Sequence, residues 1–205
     1  MRLRARTPQA VRLLYRLGRS VEPIVPSKTL PEDLVRDCRL CNSRSALLEL
    51  LPPGGRVAEL GTLKGDFARE ILARNKPKEL HVIDVDYSQF DQTLLADTRL
   101  VRHQGLTDAV IGEFDDASFD WIYVDADHSY DGVAADARAS APKLKPGGFL
   151  VFNDFGQIDP FLGRYGVHRA VIDFAVKMGW PLRFFALHHY AMYDVALQKP
   201  GLGSG

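Results

Sequence analysis

Cysteine is scarce: Cys38 and Cys41 are the only two among 205 residues, and they form one C-x-x-C. A structural zinc site commonly draws four Cys or His ligands from two such knuckles, so none is expected. So few thiols, with no apolar signal-peptide core, suit a reducing, cytoplasmic setting. No apolar run approaches the roughly 20 residues of a membrane span, and no transmembrane segment is expected. An excess of charge is missing too, since Lys plus Arg and Asp plus Glu both total 26. Without a basic field to neutralise phosphates, nucleic acid is not an expected partner. What remains, 46% hydrophobic and 25% charged residues, is the composition of an ordinary globular domain.

Three regions can be separated along the chain. Residues 1–20 hold six arginines and no acid, with Val11, Leu14, Tyr15 and Leu17 spaced to share one helical face. They read as a basic amphipathic helix, a cover or homodimer contact, although Arg-rich, acid-poor N-termini also resemble transit peptides and membrane-surface anchors. Three prolines in 21–31 make an extended connector, so 1–31 stand apart from a main domain over 32–199. The Gly/Ser-rich residues 200–205 are expected to be a disordered tail.

Within the domain the hydrophobic pattern alternates between strand and helix. Strands are expected at 56–60, 80–84, 98–103, 119–125 and 149–153, separated by helices at 66–75, 89–96, 107–114 and 130–141. Such alternation implies right-handed βαβ units and a parallel sheet with helices on both faces. After a helix at 167–178, two aromatic-rich runs at 182–187 and 192–198 suggest a closing hairpin and bring the strand count to seven.

The segment VAELGTLKGDFARE places Gly61 and Gly65 around the turn from the first strand to its helix, where a missing side chain lets backbone amides approach a ligand. Either glycine could also serve the turn alone. Asp84, about twenty residues on at the end of the next strand, is placed to accept hydrogen bonds from a ribose diol. A dinucleotide fingerprint would carry glycine where Leu63 stands, and Glu59 brings negative charge toward a pyrophosphate. That acid suits a cationic group instead. A second constellation is VDADHSYD after the fourth strand with FNDF after the fifth. Asp125, Asn153 and Asp154 would emerge on adjoining strand ends, and three such oxygen donors suit Mg²⁺ or a similar ion. Turns and helix caps use the same residue types.

These motifs, E-x-G-T-x-x-G-D-F, the acidic strand end, and F-D-W-I-Y-V-D ahead of L-K-P-G-G-F-L-V-F, resemble class I S-adenosylmethionine-dependent methyltransferases over 42–199. The resemblance implies a Rossmann-like, doubly wound, seven-stranded sheet, mostly parallel with an antiparallel last strand. It implies S-adenosyl-L-methionine as cofactor, with Glu59, Gly61, Thr62 and Gly65 lining its methionine portion and Asp84 its ribose. Gly105, Thr107 and Asp108 would border the adenine, and Asp125 would stand beside the cofactor. The Asp125, Asn153, Asp154 set is similar to that of metal-dependent O-methyltransferases of the catechol and macrolide-sugar types, with the acid and amide of the last pair in a different order. In those sugar enzymes a histidine at the position of His128 is the catalytic base. The implied reaction is methyl transfer to a hydroxyl of a small-molecule acceptor, with a metal-independent methyltransferase or a non-catalytic cofactor-binding module as alternatives.

Overall fold

The computed structural model describes residues 26–159, 163–188 and 192–201. The expected N-terminal basic helix, with its suggested dimer contact, lies outside these residues, as do 202–205 of the tail.

Eight strands form the main sheet: β1 (Arg39–Cys41), β2 (Arg56–Leu60), β3 (Glu79–Asp84), β4 (Leu100–Gln104), β5 (Phe119–Val124), β6 (Leu144–Phe152), β9 (Leu182–Leu187) and β10 (Tyr193–Gln198). Their order is β1-β9-β10-β6-β5-β2-β3-β4, and β10 runs antiparallel to both its neighbours. The antiparallel closing hairpin is therefore present. The count of seven is corrected to eight by β1, which pairs in parallel with β9 at the sheet edge. A separate two-stranded ribbon, β7 (Ile158–Asp159) with β8 (Gly163–Arg164), interrupts the chain between β6 and the last helix.

Alternating strand residues feed two apolar layers, one on each face of the sheet. Helices α1 (Arg44–Leu50) and α2 (Asp66–Arg74) cover Val57, Trp121, Tyr123 and Val151 with Leu47, Leu48, Phe67 and Ile71. Helices α3 (Thr107–Gly112), α4 (Tyr130–Lys143) and α5 (Val167–Met178) cover Ala58, Ile122, Leu150 and Val195 with Ile111, Val133, Ala137 and Val171. This double cover is what a parallel sheet needs, because both its faces are apolar. The helix expected at 89–96 is a 3₁₀ turn over Gln92–Ala96, started by the Asp91 carboxylate accepting the Thr93 amide.

The chain winds from β2 out to β3 and β4, then returns to β5 and β6 on the other side of β2. The reversal opens a crevice at the carboxyl ends of β2 and β5, where ligands of open α/β sheets bind. The connector contributes on the α5 side: Ser27 Oγ lies 2.6 Å from His168 Nδ1, and Lys28 pairs with Asp173 at 3.0 Å.

Away from that crevice, His81 is buried against Phe114 and Phe119, with Arg56 Nε at 3.0 Å and the His103 ring stacked 5.1 Å away. Burial, and then Arg56, pull its pKa from 6.5 to about 4. A depressed folded-state pKa contributes stability that is present above the unfolded value and lost as pH falls through the folded one. The stability advantage of the wild type over His81→Gln is therefore expected to shrink as pH falls from about 6.5 to about 4. Denaturant melts across that range would show it, and a constant difference would refute it.

Candidate active site

The glycine turn follows β2 directly. Gly61 and Gly65 have φ of 82° and 77°, the left-handed region that glycine enters without strain. Space excludes a side chain at Gly61 as well, since a Cβ there would overlap the carbonyl oxygen of Asp125. Gly65 then opens α2 as its N-cap. Inside the turn, the amides of Thr62 and Leu63 both donate to Asp84 Oδ2 at 2.9 Å, while Asp84 Oδ1 accepts the Asp86 amide at 3.1 Å. Asp84 therefore shapes the turn in addition to standing at the expected ribose position.

Glu59 is only 1% exposed and accepts a hydrogen bond from Thr62 Oγ1 at 2.9 Å. Burial pushes its pKa up to about 8, with the nearby Asp125 and Asp84 adding to the rise and Thr62 and Arg44 opposing it. A carboxyl held this way awaits a positive neighbour. On the adenine side the structure separates the three expected residues. Gly105 follows β4 and donates its amide to the Asp84 carbonyl at 3.1 Å. Thr107 turns its hydroxyl away, onto the buried Asp136 of α4 at 2.7 Å, and the Asp108 carboxylate accepts the Ala109 amide beside it. Motif reading missed Val85 and Leu106, apolar residues just past the ends of β3 and β4 that are 54% and 66% exposed. Their exposed apolar side chains just past two neighbouring strand ends are the signal that marks them.

Just past β5, His128 brings two of the expected residues together. Its Nε2 lies 3.4 Å from Asp125 Oδ1 and 3.6 Å from Asp154 Oδ2, and its side chain is 15% exposed. Tyr165 stacks on the ring at 4.5 Å between centroids, and the Gly166 amide donates to the His128 carbonyl. Asp154 itself adopts φ 52°, an unusual conformation that aspartate tolerates better than most residues. Of the aromatic residues that follow the two site motifs, Tyr165 stacks on His128, Tyr130 donates to Asp173 on α5, Phe155 packs on His168, and Phe161 lies outside the described residues.

Asn153 is held through its amide nitrogen. Its amide nitrogen donates to Tyr123 Oη and to Asp194 Oδ1, each at 3.1 Å, and Tyr123 donates to Asp194 Oδ2 at 2.6 Å. Burial lifts the Asp194 pKa to about 6. Asn153 thus belongs to a buried polar row that continues from Glu59 across β5 and β6 to β10. Among the described residues no group of three or more His, Cys, Asp or Glu side chains is arranged to hold a metal. The imidazole nitrogen faces both carboxylates, and the expected third donor is engaged from its other end. A divalent ion at Asp125, Asn153 and Asp154 is therefore without support here.

A glycine turn with an acid on the next strand, at the switch point of a doubly wound sheet with one antiparallel strand, defines the class I methyltransferase fold. Residues 58–155, from within β2 to just past β6, match the family model described as a methyltransferase domain. No curated protein matches the sequence. Among solved structures, the chain is similar to an O-methyltransferase family protein from Burkholderia thailandensis, at 15% identity and TM-score 0.60, over 77% of this chain and 55% of that one. It is similar to a SAM-dependent methyltransferase from Aquifex aeolicus, at 14% identity and TM-score 0.57, over 72% and 84%. It is also similar to the N-methyltransferase NodS from Bradyrhizobium japonicum, at 20% identity and TM-score 0.56, over 77% and 94%. At these identities the likeness is one of fold, and no helix of the described residues is long and apolar enough to cross a membrane.

Proposed function

We propose that the protein transfers the methyl group of S-adenosyl-L-methionine to a hydroxyl of a small-molecule acceptor, with His128 as general base. The observation that carries this reading is His128 standing between Asp125 and Asp154 at the edge that also holds the glycine turn. Glu59, Gly61, Thr62 and Gly65 line the methionine portion, Asp84 meets the ribose, and Gly105 and Asp108 border the adenine, with Thr107 acting through Asp136. Val85 and Leu106 offer apolar surface to the planar base. When bound, the cofactor supplies an electrophilic methyl carbon on a cationic sulfur. Buried Glu59 stabilises that charge before transfer.

The cofactor would give up that carbon to the acceptor oxygen and keep the carbon–sulfur pair, and His128 takes the hydroxyl proton. Asp125 and Asp154 compensate the positive charge that arises on the imidazole, and Tyr165 holds its plane. The ring's partial exposure lets it return the proton to solvent. Holding acceptor oxygen, methyl carbon and sulfur in line can supply several kcal/mol of the barrier, roughly 7–11 in well-oriented intramolecular reactions.

Incubation with methyl-labelled cofactor against phenols, sugars, hydroxy acids and amines tests the reading. Labelled ethers or esters are expected. Transfer to amines alone would overturn the hydroxyl acceptor in favour of nitrogen, a second reading that the same two carboxylates support because they suit an ammonium. Cofactor binding without transfer to any acceptor would leave a non-catalytic binding module. Turnover is expected to survive exhaustive chelation, because the His128 imidazole already faces both Asp125 and Asp154. Loss of activity restored by Mg²⁺ would return an ion to Asp125 and Asp154.

A further inference from the structure

Arg44 takes no part in the transfer just described, yet it is a cation set close to the same end of the sheet. It is the first residue of α1, a turn fixed by Ser43, whose hydroxyl accepts the Ala46 amide at 3.2 Å. The side chain is 23% exposed and runs inward, so that its guanidinium carbon lies 3.8 Å over the Phe67 ring in the first turn of α2. The Tyr123 ring is 5.7 Å away. Among the described residues none accepts a hydrogen bond from it. The nearest carboxylate oxygen, Asp194 Oδ2, is 3.8 Å from Nε, and Nε is buried without a hydrogen-bond partner.

This is an unusual state for arginine. A guanidinium presents five N–H donors in a rigid fork matched to a carboxylate, and a buried donor left unfilled costs free energy. Burial alone would pull its pKa down, but Tyr123, Asp194, Asp125 and Glu70 outweigh that effect, so the charge persists. Asp194 does not close on the fork: its oxygens accept from Tyr123 and Asn153, and Oδ2 stays 3.8 Å from Nε.

The neighbours indicate which anion the fork awaits. Arg44 acts electrostatically on Glu59, and Asp125 acts on both residues. Two acids and a guanidinium within electrostatic reach of one another complement a zwitterion, with its ammonium toward Glu59 and Asp125 and its carboxylate toward Arg44. The amino-acid end of S-adenosylmethionine has that charge pattern. We propose that Arg44 anchors the carboxylate of the cofactor's methionine portion, an assignment that rests on the cofactor reading above. The stacked Phe67 fixes the plane of the fork and keeps water from one face of it.

The test compares S-adenosylhomocysteine with 5′-methylthioadenosine, which keeps the nucleoside and thioether but lacks the amino acid. Calorimetric titration of the wild type is expected to show S-adenosylhomocysteine binding more tightly than methylthioadenosine. Arg44→Met is expected to weaken S-adenosylhomocysteine by on the order of thirty-fold and to leave methylthioadenosine unchanged, with Arg44→Lys recovering only part of the loss. Equal weakening of both ligands would overturn the proposal in favour of a structural role. Unchanged S-adenosylhomocysteine affinity with a raised acceptor KM would overturn it by assigning the fork to an acceptor carboxylate. If Arg44→Met does not fold, the wild type is titrated with S-adenosylhomocysteine and its decarboxylated analogue, and equal affinities overturn the proposal. A wild type that binds none of these nucleosides would overturn the cofactor reading itself and this assignment with it.

Discussion

Alanine at position 128 is expected to lower kcat by about 10²–10⁴-fold while leaving the affinity for S-adenosylhomocysteine nearly unchanged. The division follows from position. The ring touches Asp125, Asp154 and Tyr165 on the acceptor side, whereas the turn that would hold the cofactor is shaped by Asp84 and the backbone of β2. A base also leaves a mark on the pH–rate profile. The limb that rises as the imidazole loses its proton should vanish in His128→Ala and in His128→Gln. Full turnover by the alanine variant on every accepted acceptor would remove His128 from the mechanism.

The second large effect concerns Glu59. Its carboxyl is protonated in the free protein up to a pH of about 8, because burial disfavours the charged form. A sulfonium and an ammonium placed against it favour the ionised form, so cofactor binding at pH 7 should release a proton. Affinity for S-adenosylmethionine is then expected to rise with pH and to level off above about 8. Titration calorimetry in two buffers of different ionisation enthalpy reads the proton directly. Glu59→Gln should abolish both the release and the pH slope, and weaken binding by roughly ten- to hundred-fold.

Stability of the free protein carries the opposite slope. A folded pKa raised from 4.5 to about 8 contributes stability that is complete below the lower value and lost as pH rises through the higher one. Cofactor should therefore protect the protein most on the alkaline side. A pH-independent affinity would show that the carboxyl does not titrate on binding.

Much of the fold can be read from periodicity because the central strands are buried on both faces and the helices between them are amphipathic. The bounds of β2, α5 and β9 agree residue for residue with the pattern. β1 escapes such a reading: Arg39, Leu40 and Cys41 form too short a run to alternate, and their pairing depends on Phe184 to Ala186, far along the chain. The start of β6 was hidden in a similar way. Lys145-Pro146-Gly147-Gly148 reads as a breaker, yet it lies within the strand, with Lys145 Nζ bonded to both oxygens of Asp120 on β5.

The site divides along the same line. Gly61, Gly65 and Asp84 could be found because their local conformation or strand-end position demands those residue types. His128 could be found because it follows the acidic end of a strand. Asp194 offered only one faint sign, a lone acid in the apolar run Tyr193 to Leu197, and its meaning depends on Tyr123, Asn153 and Arg44 arriving from three other elements. For Asn153 the sequence locates a side chain at a strand end but does not say that Tyr123 and Asp194 hold its amide nitrogen.

The contact between Gly61 and the Asp125 carbonyl has a further consequence for how this protein could change. The Asp125 amide bonds to the Leu60 carbonyl and the Gly61 amide to that of Ile83, so three strand ends meet without slack. Donor side and acceptor side are rivetted together there, and neither can drift without dragging the other. A lineage under selection for new acceptors would find that joint immovable. Its freedom would lie in the stretch between Asp154 and Gly166 and at the tip of the closing hairpin, where the chain can be lengthened or redrawn while the distance from methyl carbon to base stays as it is.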